Sequence, residues 1–200
     1  MTGKTVDFYD DNAADYAATA RTWRVNPRLG AFLARCRPGG RILELGTGSG
    51  KDARAMLDAG FSVDPTDGSA GLAAIAEELI GQPVRTMRFD ELTAVGEYDG
   101  VYASASLLHV PRAELGDVIG RVRRALKPGG VAWASFKSGT AEGFDGLGRY
   151  YNYLSADELL AYWQAARDWT SLAVETWQGG GFDNLPTDWI AITAIAGDVR

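Results

Sequence analysis

The stretch that decides the fold is RILELGTGSGKD, residues 41–52. Apolar residues flank one acid, Glu44, and glycines follow at positions 46, 48 and 50. An apolar run that passes directly into glycines predicts a buried strand, a tight turn and a helix. A carboxylate near the end of a buried strand costs free energy unless a partner compensates its charge. The stretch therefore predicts a strand–turn–helix unit and raises the question of what Glu44 contacts.

Short apolar runs alternate with helix-length amphipathic segments over residues 41–137. This alternation is typical of a parallel sheet that helices cover on both faces. The predicted strands span residues 41–45, 61–63 or 61–66, 84–88, 98–103 and 131–136. The predicted helices span residues 51–59, 70–80 and 113–126. The KPGG sequence at 127–130 is expected to end the last of these helices, because glycine accepts the left-handed conformation of a helix end.

The character of the chain changes after residue 137. Residues 138–153, rich in Gly and Tyr, predict a long loop, and such loops are commonly functional. The next helix, residues 155–167, begins with a capping box formed by Ser155 and Glu158. Two strands, at residues 171–177 and 188–195, finish the chain, and GGGFDNLP between them favours a hairpin. The pattern predicts an α/β fold: a doubly wound, Rossmann-like, mostly parallel seven-stranded sheet with an antiparallel C-terminal hairpin.

The length of 200 residues suits one domain with a single core. We expect that domain to cover residues 1–200 in four parts. These are an N-terminal helical cap (1–40), a cofactor-binding core (41–137), the Gly- and Tyr-rich loop (138–153), and a C-terminal helix and hairpin (154–200). Within the cap, residues 9–37 are expected to be helical and to pack on the sheet edge or to lie across the carboxyl end of the sheet.

Composition narrows the classes of partner. The chain has 26 acidic and 20 basic residues, a formal net charge of −6, and no basic run. This balance argues against a nucleic-acid partner and disfavours an anionic substrate. One His, one Cys and no bilayer-length apolar run argue against a His/Cys metal cluster and a membrane segment. Because the start of the chain lacks a signal-peptide pattern, we expect a cytoplasmic protein. We predict no metal site, although the composition leaves a site with oxygen ligands open.

Acids after the predicted strands point to a ligand. In open α/β sheets, ligands bind beyond the carboxyl ends of the strands, where the strand order reverses. The glycines after the first strand allow a tight turn there, and the helix that follows offers free amide hydrogens. Asp67, about twenty residues further on, is placed to bind both hydroxyls of a ribose, with Asp64 as the nearby alternative. Asp90, after the third strand, could accept a hydrogen bond from an adenine amino group.

These motifs resemble those of the class I S-adenosylmethionine-dependent methyltransferases, in particular the small bacterial stand-alone type. ILELGTGSG resembles the first motif of the family, DGS its ribose-binding acid and FD its adenine contact. YDGVYASASLLHV resembles the fourth-strand segment and LKPGG the turn before strand five. The motifs occur in the family's order over residues 41–137, and YDDNAADYA and the terminal hairpin extend the resemblance over nearly the whole chain. The layout is more loosely similar to that of the tellurite-resistance methyltransferases.

The resemblance implies S-adenosylmethionine as the cofactor, with S-adenosylhomocysteine as its product. It places Glu44 in the cofactor cleft near the ammonium group of the methionine part, directly or through water. A charge pair in a sheltered cleft would explain why an acid is tolerated there. The amides after Gly48 would face the carboxylate of the cofactor. The implied cofactor-binding residues are Tyr16, Glu44, Gly46, Thr47, Gly48, Ser49, Gly50, Asp67, Gly68, Ser69, Phe89, Asp90, Ala103 and Ser104.

The acceptor site is less sharply indicated. His109, the only histidine, follows the fourth strand and is the candidate catalytic base, although it could equally cap a loop or pack under the cofactor. Aromatic residues of the N-terminal segment, including Trp23, and of the 138–153 loop could form a lid over a sulfonium or a flat substrate, or simply pack at the surface. Lys137 and Arg149 could receive a carboxylate. The expected substrate-binding residues are Tyr9, Arg24, Lys137, Tyr150, Tyr151 and Tyr153.

The predicted function is methyl transfer from S-adenosylmethionine to an oxygen, nitrogen or sulfur atom of a small molecule, by a monomer or homodimer. The fourth strand exits through ASAS rather than the Asn/Asp-Pro-Pro-aromatic sequence of nucleic-acid amino methyltransferases, and no Pro-Cys pair marks a cytosine C5 enzyme. The alternatives are a non-catalytic S-adenosylmethionine-binding regulatory domain and a nicotinamide-dependent oxidoreductase. The spacing G-x-G-x-G, instead of G-x-G-x-x-G, and the lack of a Tyr-x-x-x-Lys pair disfavour the oxidoreductase.

Overall fold

Over residues 41–137, strands and helices follow one another in the predicted order. A computed structural model describes residues 2–22, 24–180 and 186–198. The strands are β1 (Arg41–Leu45), β2 (Ser62–Asp67), β3 (Arg85–Thr86), β4 (Tyr98–Ala103), β5 (Leu126–Lys137), β6 (Glu142–Phe144), β7 (Tyr150–Asn152), β8 (Trp169–Gly180) and β9 (Pro186–Ala196). The helices are α1 (Gly3–Asp11), α2 (Ala13–Arg21), α3 (Leu29–Leu33), α4 (Lys51–Asp58), α5 (Ala70–Ile80), α6 (Arg112–Ala125) and α7 (Ala156–Ala165). Short 3-10 helices, Phe89–Glu91 and Leu107–His109, follow β3 and β4.

Seven strands form one sheet in the order β3-β2-β1-β4-β5-β9-β8, and β6 pairs with β7 in a separate two-stranded sheet. Strands β1 to β5 run parallel, whereas β9 runs antiparallel to both β5 and β8. This arrangement confirms the predicted doubly wound α/β fold with its antiparallel C-terminal hairpin. The strand order reverses between β1 and β4, which opens a crevice at the carboxyl ends of these strands.

The two faces of the sheet pack against separate apolar layers, because successive residues of a strand point to opposite faces. Leu43 and Leu45 belong to a layer that includes residues of α6 and α7, among them the fully buried Trp163. Ile42 belongs to the opposite layer, with residues of α3, α4 and α5. Glu44 follows Ile42 by two positions, so its side chain leaves the strand on the α4 side of the sheet.

The predicted end of the third core helix is wrong. Helix α6 ends at Ala125, the next residue is already extended, and KPGG belongs to β5. The backbone amides of Gly96 and Glu97 donate to the carbonyl oxygens of Arg124 and Ala125 at 2.8 and 2.9 Å. These bonds satisfy carbonyls of the last helical turn, so a left-handed glycine is not needed there. Gly129, with a φ of +74°, lies instead where the pairing register between β4 and β5 shifts.

The Gly- and Tyr-rich segment contains a hairpin rather than an irregular loop throughout. Strands β6 and β7 pair antiparallel, with Gly143 opposite Tyr151. The Asp145 carboxylate closes the turn between them by accepting hydrogen bonds from the amides of Leu147 and Arg149 at 3.0 and 2.9 Å. Glycines weaken a strand pattern in the sequence, and for that reason the pattern predicted a loop.

The N-terminal helices lie near the carboxyl end of the sheet, which is one of the two predicted placements. The helix expected over residues 9–37 is divided into α1, α2 and α3. Ala13 and Ala17 pack against Leu72 of α5. The Asp10 carboxylate accepts hydrogen bonds from the Ser69 hydroxyl at 2.6 Å and from the Gly71 amide at 3.0 Å. These contacts hold α1 and α2 over the start of α5, directly after β2.

The C-terminal elements form as predicted. In the capping box of α7, the Ser155 hydroxyl accepts from the Glu158 amide at 3.3 Å, and the Glu158 carboxylate accepts from the Ser155 amide at 2.9 Å. Strands β8 and β9 pair from Trp169 opposite Ala196 to Gly180 opposite Pro186. Residues 181–185 of the predicted turn, and Trp23, lie outside the described residues. Within the described ranges, no helix has the length and apolar character needed to cross a membrane.

Candidate active site

A cavity of about 610 Å³ lies at the carboxyl ends of β1, β4 and β5, next to the reversal of strand order. Many of the residues singled out in the sequence line this cavity. They are Tyr9, Tyr16, Arg24, Glu44, Gly46, Thr47, Gly48, Ser49, Ser104, His109, Lys137, Arg149 and Tyr151. The others are not part of its lining: Gly50, Asp67, Gly68, Ser69, Phe89, Asp90, Ala103, Tyr150 and Tyr153.

Glu44 lines the cavity at the end of β1 and is only 2 % exposed. The Thr47 hydroxyl donates a hydrogen bond to its carboxylate. Burial raises the pKa of Glu44 to about 8, and the negative charge of Asp52 adds to the shift, whereas the Thr47 hydrogen bond and the Lys51 charge oppose it. The carboxyl group is therefore mostly protonated at neutral pH, and a cationic ligand group beside it would favour its ionised form.

Hydrogen bonds connect the turn after β1 to the end of β2 and to the loop after β4. The amides of Gly46 and Thr47 both donate to the Thr66 carbonyl oxygen at 2.9 Å. The Ser106 hydroxyl donates to the Leu45 carbonyl oxygen at 2.6 Å. Gly46 has a φ of +79°, and a Cβ atom at this position would lie 2.5 Å from the Cβ atom of Ser106. A side chain here would therefore require both backbone strain and displacement of the loop after β4.

Asp67 is the last residue of β2, where the sequence predicts an acid. Its buried carboxylate accepts hydrogen bonds from the Gly48 amide at 2.8 Å and from the Ser69 amide at 2.9 Å. Burial raises the pKa of Asp67 to about 6, although these hydrogen bonds act against the shift. Asp64, the alternative, lies earlier in β2 and accepts a hydrogen bond from the Tyr98 hydroxyl. Asp67 thus joins the turn after β1 to the end of β2, while Asp64 has a separate partner.

The other residues predicted to contact the adenosyl part are not among the residues that line the cavity. Phe89 is buried in the apolar layer of Leu43 and Leu45. The Asp90 side chain is 56 % exposed and pairs with Arg88 at 3.3 Å. The remaining predicted positions are Gly50 before α4, Gly68 and Ser69 between β2 and α5, and Ala103 at the end of β4. Their roles toward a cofactor stay predictions.

The loop after β4 contains a left-handed alanine. Ala105 has a φ of +51°, a conformation that costs a non-glycine residue roughly 1–2 kcal/mol. Its amide donates to the Ser135 hydroxyl of β5 at 2.9 Å. The Asn26 side-chain amide donates to the Ser104 hydroxyl at 3.1 Å. These bonds tie the loop to β5 and to the N-terminal segment, and they hold it on the cavity wall.

His109 is buried in the 3-10 helix after β4, and both of its ring nitrogens have partners. Nδ1 lies 2.6 Å from the Tyr150 carbonyl oxygen, which can only accept, so Nδ1 carries the hydrogen. Nε2 lies 3.0 Å from the Tyr9 hydroxyl oxygen and therefore accepts. Burial lowers the pKa of His109 to about 4, and the positive charges of Arg149 and Lys137 lower it further. The imidazole is neutral at physiological pH, with its accepting nitrogen bound to Tyr9.

Two buried cations approach the ring of Tyr151 at the same end of the cavity. The Nζ atom of Lys137 lies 4.6 Å from the Tyr151 ring centroid, and the guanidinium carbon of Arg149 lies 5.3 Å from it. Lys137 is 8 % exposed and Arg149 is 3 % exposed. Arg149 also donates two hydrogen bonds, at 2.9 and 2.7 Å, to one carboxylate oxygen of Asp145. The end of the cavity beside Tyr151 is therefore cationic and aromatic.

The three tyrosines of the β7 segment face different surroundings, because alternate residues of a strand point to opposite faces. Tyr151 lines the cavity. The Tyr150 hydroxyl donates to Glu142, and only its backbone carbonyl reaches His109. Tyr153 stacks on Tyr151, with ring centroids 5.7 Å apart. Of the tyrosines predicted to form a lid here, one lines the cavity.

Several lining residues are absent from the predicted set. Asp52 lies in the first turn of α4 and pairs with Lys51 at 3.0 Å. Trp177 and Trp189 stack across β8 and β9 with ring centroids 6.1 Å apart, and the guanidinium carbon of Arg28 lies 3.5 Å from the Trp177 ring centroid. Asp52 could have been found from its place directly after the glycine turn. The tryptophans carry no such signal, because their position depends on the register of β9.

The model of the family described as "Methyltransferase domain" matches residues 16–175. The chain belongs to the methyltransferase domain family. This membership confirms the resemblance to the class I S-adenosylmethionine-dependent methyltransferases. In the described part of this methyltransferase, no group of three or more His, Cys, Asp and Glu side chains is placed to hold a metal ion. The looser similarity to tellurite-resistance methyltransferases stays a prediction.

The names of individual relatives of this methyltransferase give different substrates. The 24-methylenesterol C-methyltransferase 2 of Arabidopsis thaliana is 27 % identical over 60 % of this chain and 35 % of its own length. The chain thus spans about a third of the length of the sterol methyltransferases it matches. The ubiquinone biosynthesis O-methyltransferase of Xanthomonas campestris pv. campestris is 26 % identical over 86 % of this chain and 87 % of its own.

One solved structure shows the same fold over nearly the whole chain. It is the 1,6-didemethyltoxoflavin-N1-methyltransferase of Burkholderia thailandensis with bound 1,6-didemethyltoxoflavin and S-adenosylhomocysteine. The TM-score is 0.78 at 19 % identity, and the match covers 98 % of this methyltransferase and 88 % of the other chain.

Proposed function

We propose that this methyltransferase transfers the methyl group of S-adenosylmethionine to an oxygen, nitrogen or sulfur atom of a small molecule. The observation that carries the proposal is one cavity with two chemically different ends beside the reversal of strand order. The cofactor end consists of the lining residues between Glu44 and Asp52. The acceptor end consists of Tyr9, His109, Lys137, Arg149 and Tyr151. Relatives named for small-molecule acceptors support an acceptor of that kind.

The chemistry of the cofactor end fits S-adenosylmethionine. Burial disfavours the ionised form of Glu44, and the ammonium of a bound amino acid moiety would compensate that cost. Amide hydrogens after Gly48, at the start of α4, are suited to a carboxylate. Asp67 would accept hydrogen bonds from the ribose hydroxyls.

The bound cofactor supplies a methyl group already activated on a sulfonium, so the protein mainly has to orient the reacting groups and exclude water. The wall of the acceptor end serves both purposes. Tyr9 and Tyr151 pack around His109, with ring centroids 5.5 and 4.7 Å from the imidazole. These packed rings exclude water from the imidazole and hold the Tyr9 hydroxyl at a fixed position on the wall.

His109 is proposed to act through Tyr9. Its predicted role as a base stays a prediction, and the contact in which Nε2 accepts from the Tyr9 hydroxyl supports a relay. Since the chain has one histidine, the imidazole proton signal of the untagged protein reports the pKa of His109 alone. A titration midpoint near 4 is expected. A midpoint near 6.5, the ordinary value, would remove the burial argument and favour a direct base.

The proposal is tested by ligand-dependent melting. S-adenosylhomocysteine at about a hundred times its dissociation constant should stabilise the protein by roughly 2.7 kcal/mol. For a chain of this size, that corresponds to a rise in melting temperature of about 5–10 °C. NAD should give no rise. A rise with NAD and none with S-adenosylhomocysteine would contradict the proposal and favour the oxidoreductase.

A regulatory domain that binds the cofactor without turnover would pass the melting test. Turnover with a broad panel of oxygen, nitrogen and sulfur acceptors separates the two functions, because a regulatory domain would transfer no methyl group. The cytoplasmic address, the bacterial type, the monomeric or homodimeric state and the lack of a nucleic-acid partner belong to this proposal and rest on the sequence.

A further inference from the structure

We propose that the methyl acceptor is a flat, conjugated molecule that carries an anionic group, bound along a row of three side chains, Lys137, Trp189 and Trp177. This inference rests on the proposed function and specifies the substrate class of the acceptor end. We call these three residues the acceptor row.

The sheet register creates the acceptor row. Lys137 of β5 is directly opposite Trp189 of β9, and Trp189 is directly opposite Trp177 of β8. In antiparallel pairs, directly opposite residues project to the same face, with Cα atoms about 5 Å apart. All three residues line the cavity. A positive charge and two indole rings therefore lie side by side on one wall.

The aromatic part of the row is suited to a flat ligand. The indole planes of Trp177 and Trp189 are within 9° of parallel. Arg28 holds Trp177 from one side, with its guanidinium carbon 3.5 Å from the ring centroid, and is itself paired with Glu175 at 3.1 Å. Aromatic rings gain most by stacking or edge contact with another conjugated ring. A planar acceptor would make more of these contacts than a saturated one.

The cationic part of the row is suited to an anion. Lys137 and Arg149 both line the cavity and are almost fully buried. Their positive charges reach the acceptor end, because both lower the pKa of His109. Among the described lining residues, the carboxylates are Glu44 and Asp52, both at the cofactor end. An anionic group beside Lys137 would gain a charge-assisted hydrogen bond in a sheltered site.

The local charge of the acceptor end is opposite in sign to the net charge of the whole chain. The formal net charge of −6 disfavours an anionic substrate only where surface charge dominates the interaction. Inside the cavity, a small ligand meets the charge of Lys137 together with that of Arg149, which the paired Asp145 carboxylate partly offsets. The same positive charge would lower the pKa of an acceptor hydroxyl, so an anionic nucleophile would need less help from a neutral His109.

Calorimetry on protein saturated with S-adenosylhomocysteine tests the proposal with three probes. The probes are 4-hydroxybenzoate, its neutral amide 4-hydroxybenzamide, and the saturated 4-hydroxycyclohexanecarboxylate. We expect 4-hydroxybenzoate to bind about tenfold or more tightly than the amide, since a hydrogen bond to a charged group contributes at least that factor. It should also bind several-fold more tightly than the saturated carboxylate, which has no conjugated ring to stack on the indoles. Equal affinity for the benzoate and the amide, or no binding of any probe at millimolar concentration, would overturn the proposal.

Variants assign the two preferences to the acceptor row. Lys137→Gln should abolish the preference for benzoate over the amide and keep the preference for the flat ring. Trp189→Leu should abolish the preference for the flat ring and keep the preference for benzoate over the amide. Lys137→Arg should keep both preferences. Lys127→Gln is the matched control, because Lys127 lies on the same strand but pairs with Asp99 outside the cavity lining. An undiminished charge preference in Lys137→Gln would overturn the proposal.

Binding of S-adenosylhomocysteine itself, measured first for each protein, keeps the two proposals separable. Wild-type protein that does not bind it contradicts the proposed function. Wild-type protein that binds it but treats the three probes alike contradicts only the acceptor class.

Discussion

The two ends of the cavity are built in different ways. The cofactor end comes from one continuous stretch, residues 44–52, in which backbone turns and short side chains form the surface. The acceptor end collects single side chains from α1, the 3-10 helix after β4, β5 and the β6–β7 hairpin, and the acceptor row adds one each from β8 and β9. The first end depends on local backbone geometry and the second on the register of distant strands. The cofactor end should therefore be intolerant of small backbone changes, and the acceptor end should respond to the chemistry of its side chains.

The largest expected effect tests the backbone of the cofactor end. Gly46→Ala should lower the free energy of unfolding by about 2–5 kcal/mol, from left-handed strain and from the close approach to Ser106. Gly60→Ala is the matched control, because Gly60 has a φ of +85° and nothing within 4 Å of a Cβ atom. The free energy of unfolding of Gly60→Ala should fall by roughly 1–2 kcal/mol, from left-handed strain alone. Urea unfolding of both variants without ligand gives the difference, and equal losses would show that the turn is not clamped.

The next effect separates the two acids of β2. Asp67→Ala should weaken binding of S-adenosylhomocysteine by roughly a hundredfold, or about 3 kcal/mol, if its carboxylate accepts from two ribose hydroxyls. Asp64→Ala should keep the affinity but lower stability, because the Tyr98 hydroxyl loses its partner. Calorimetry measures the affinities, and Asp67→Asn serves as a milder variant in case the alanine variant misfolds. Similar affinities for all three would place the ribose elsewhere.

A third effect concerns the charge state of the cofactor end. The pKa of Glu44 is raised to about 8 in the folded protein, so between the ordinary carboxylate range and pH 8 the folded state holds a proton that the unfolded state has released. The contribution of Glu44 to the free energy of unfolding is present at low pH and is lost as pH rises. Between pH 6.5 and 8, the ligand-free protein should lose about 2 kcal/mol, since each pH unit corresponds to about 1.36 kcal/mol.

Glu44→Gln supplies the control for this slope, because glutamine does not titrate. Asp67, with a pKa of about 6, is mostly ionised above pH 6.5 and adds little in this window. His109 is neutral in the folded state, whereas in the unfolded state its ordinary pKa of about 6.5 leaves it partly protonated at the start of the window, so it adds a rise of a few tenths of a kcal/mol. Chemical unfolding across the window should therefore show a falling stability in the wild type and a slightly rising one in Glu44→Gln. A parallel fall in both would assign the slope to another group.

The smallest effect lies in the loop after β4, between the two ends. Ala105→Gly should stabilise the protein by about 0.5 kcal/mol, because relief of left-handed strain slightly exceeds the entropy cost of glycine. Ala55→Gly in α4 is the comparison, with an expected loss of about 1 kcal/mol. Melting temperatures measure both. A destabilised Ala105→Gly would show that the methyl group is packed and that the loop is held by its side chains as well as its backbone.

The sequence predicts the cofactor end better than the acceptor end for a physical reason. The bounds of β1, the glycine turn and the position of Asp67 at the end of β2 follow from short-range pattern and steric limits. The way in which α6 ends does not follow from the short-range pattern, because backbone amides of the segment before β4 donate to the last carbonyl oxygens of the helix. Trp177 and Trp189 likewise reach the cavity only through the pairing of β8, β9 and β5. Long-range register of that kind is not encoded in any short window.

The position of β9 also has a consequence for the order of folding. β9 follows β8 in the chain but lies between β8 and β5 in the sheet. Until β9 docks, the apolar edge of β5 is unpaired and β8 has no place in the sheet, so this edge is open to wrong pairing with other chains. We therefore expect the wall that contains Lys137, Trp189 and Trp177 to form after the β1–β4 pair. Pulsed hydrogen exchange during refolding should protect amides of β1 and β4 before those of β8, and simultaneous protection would contradict this order.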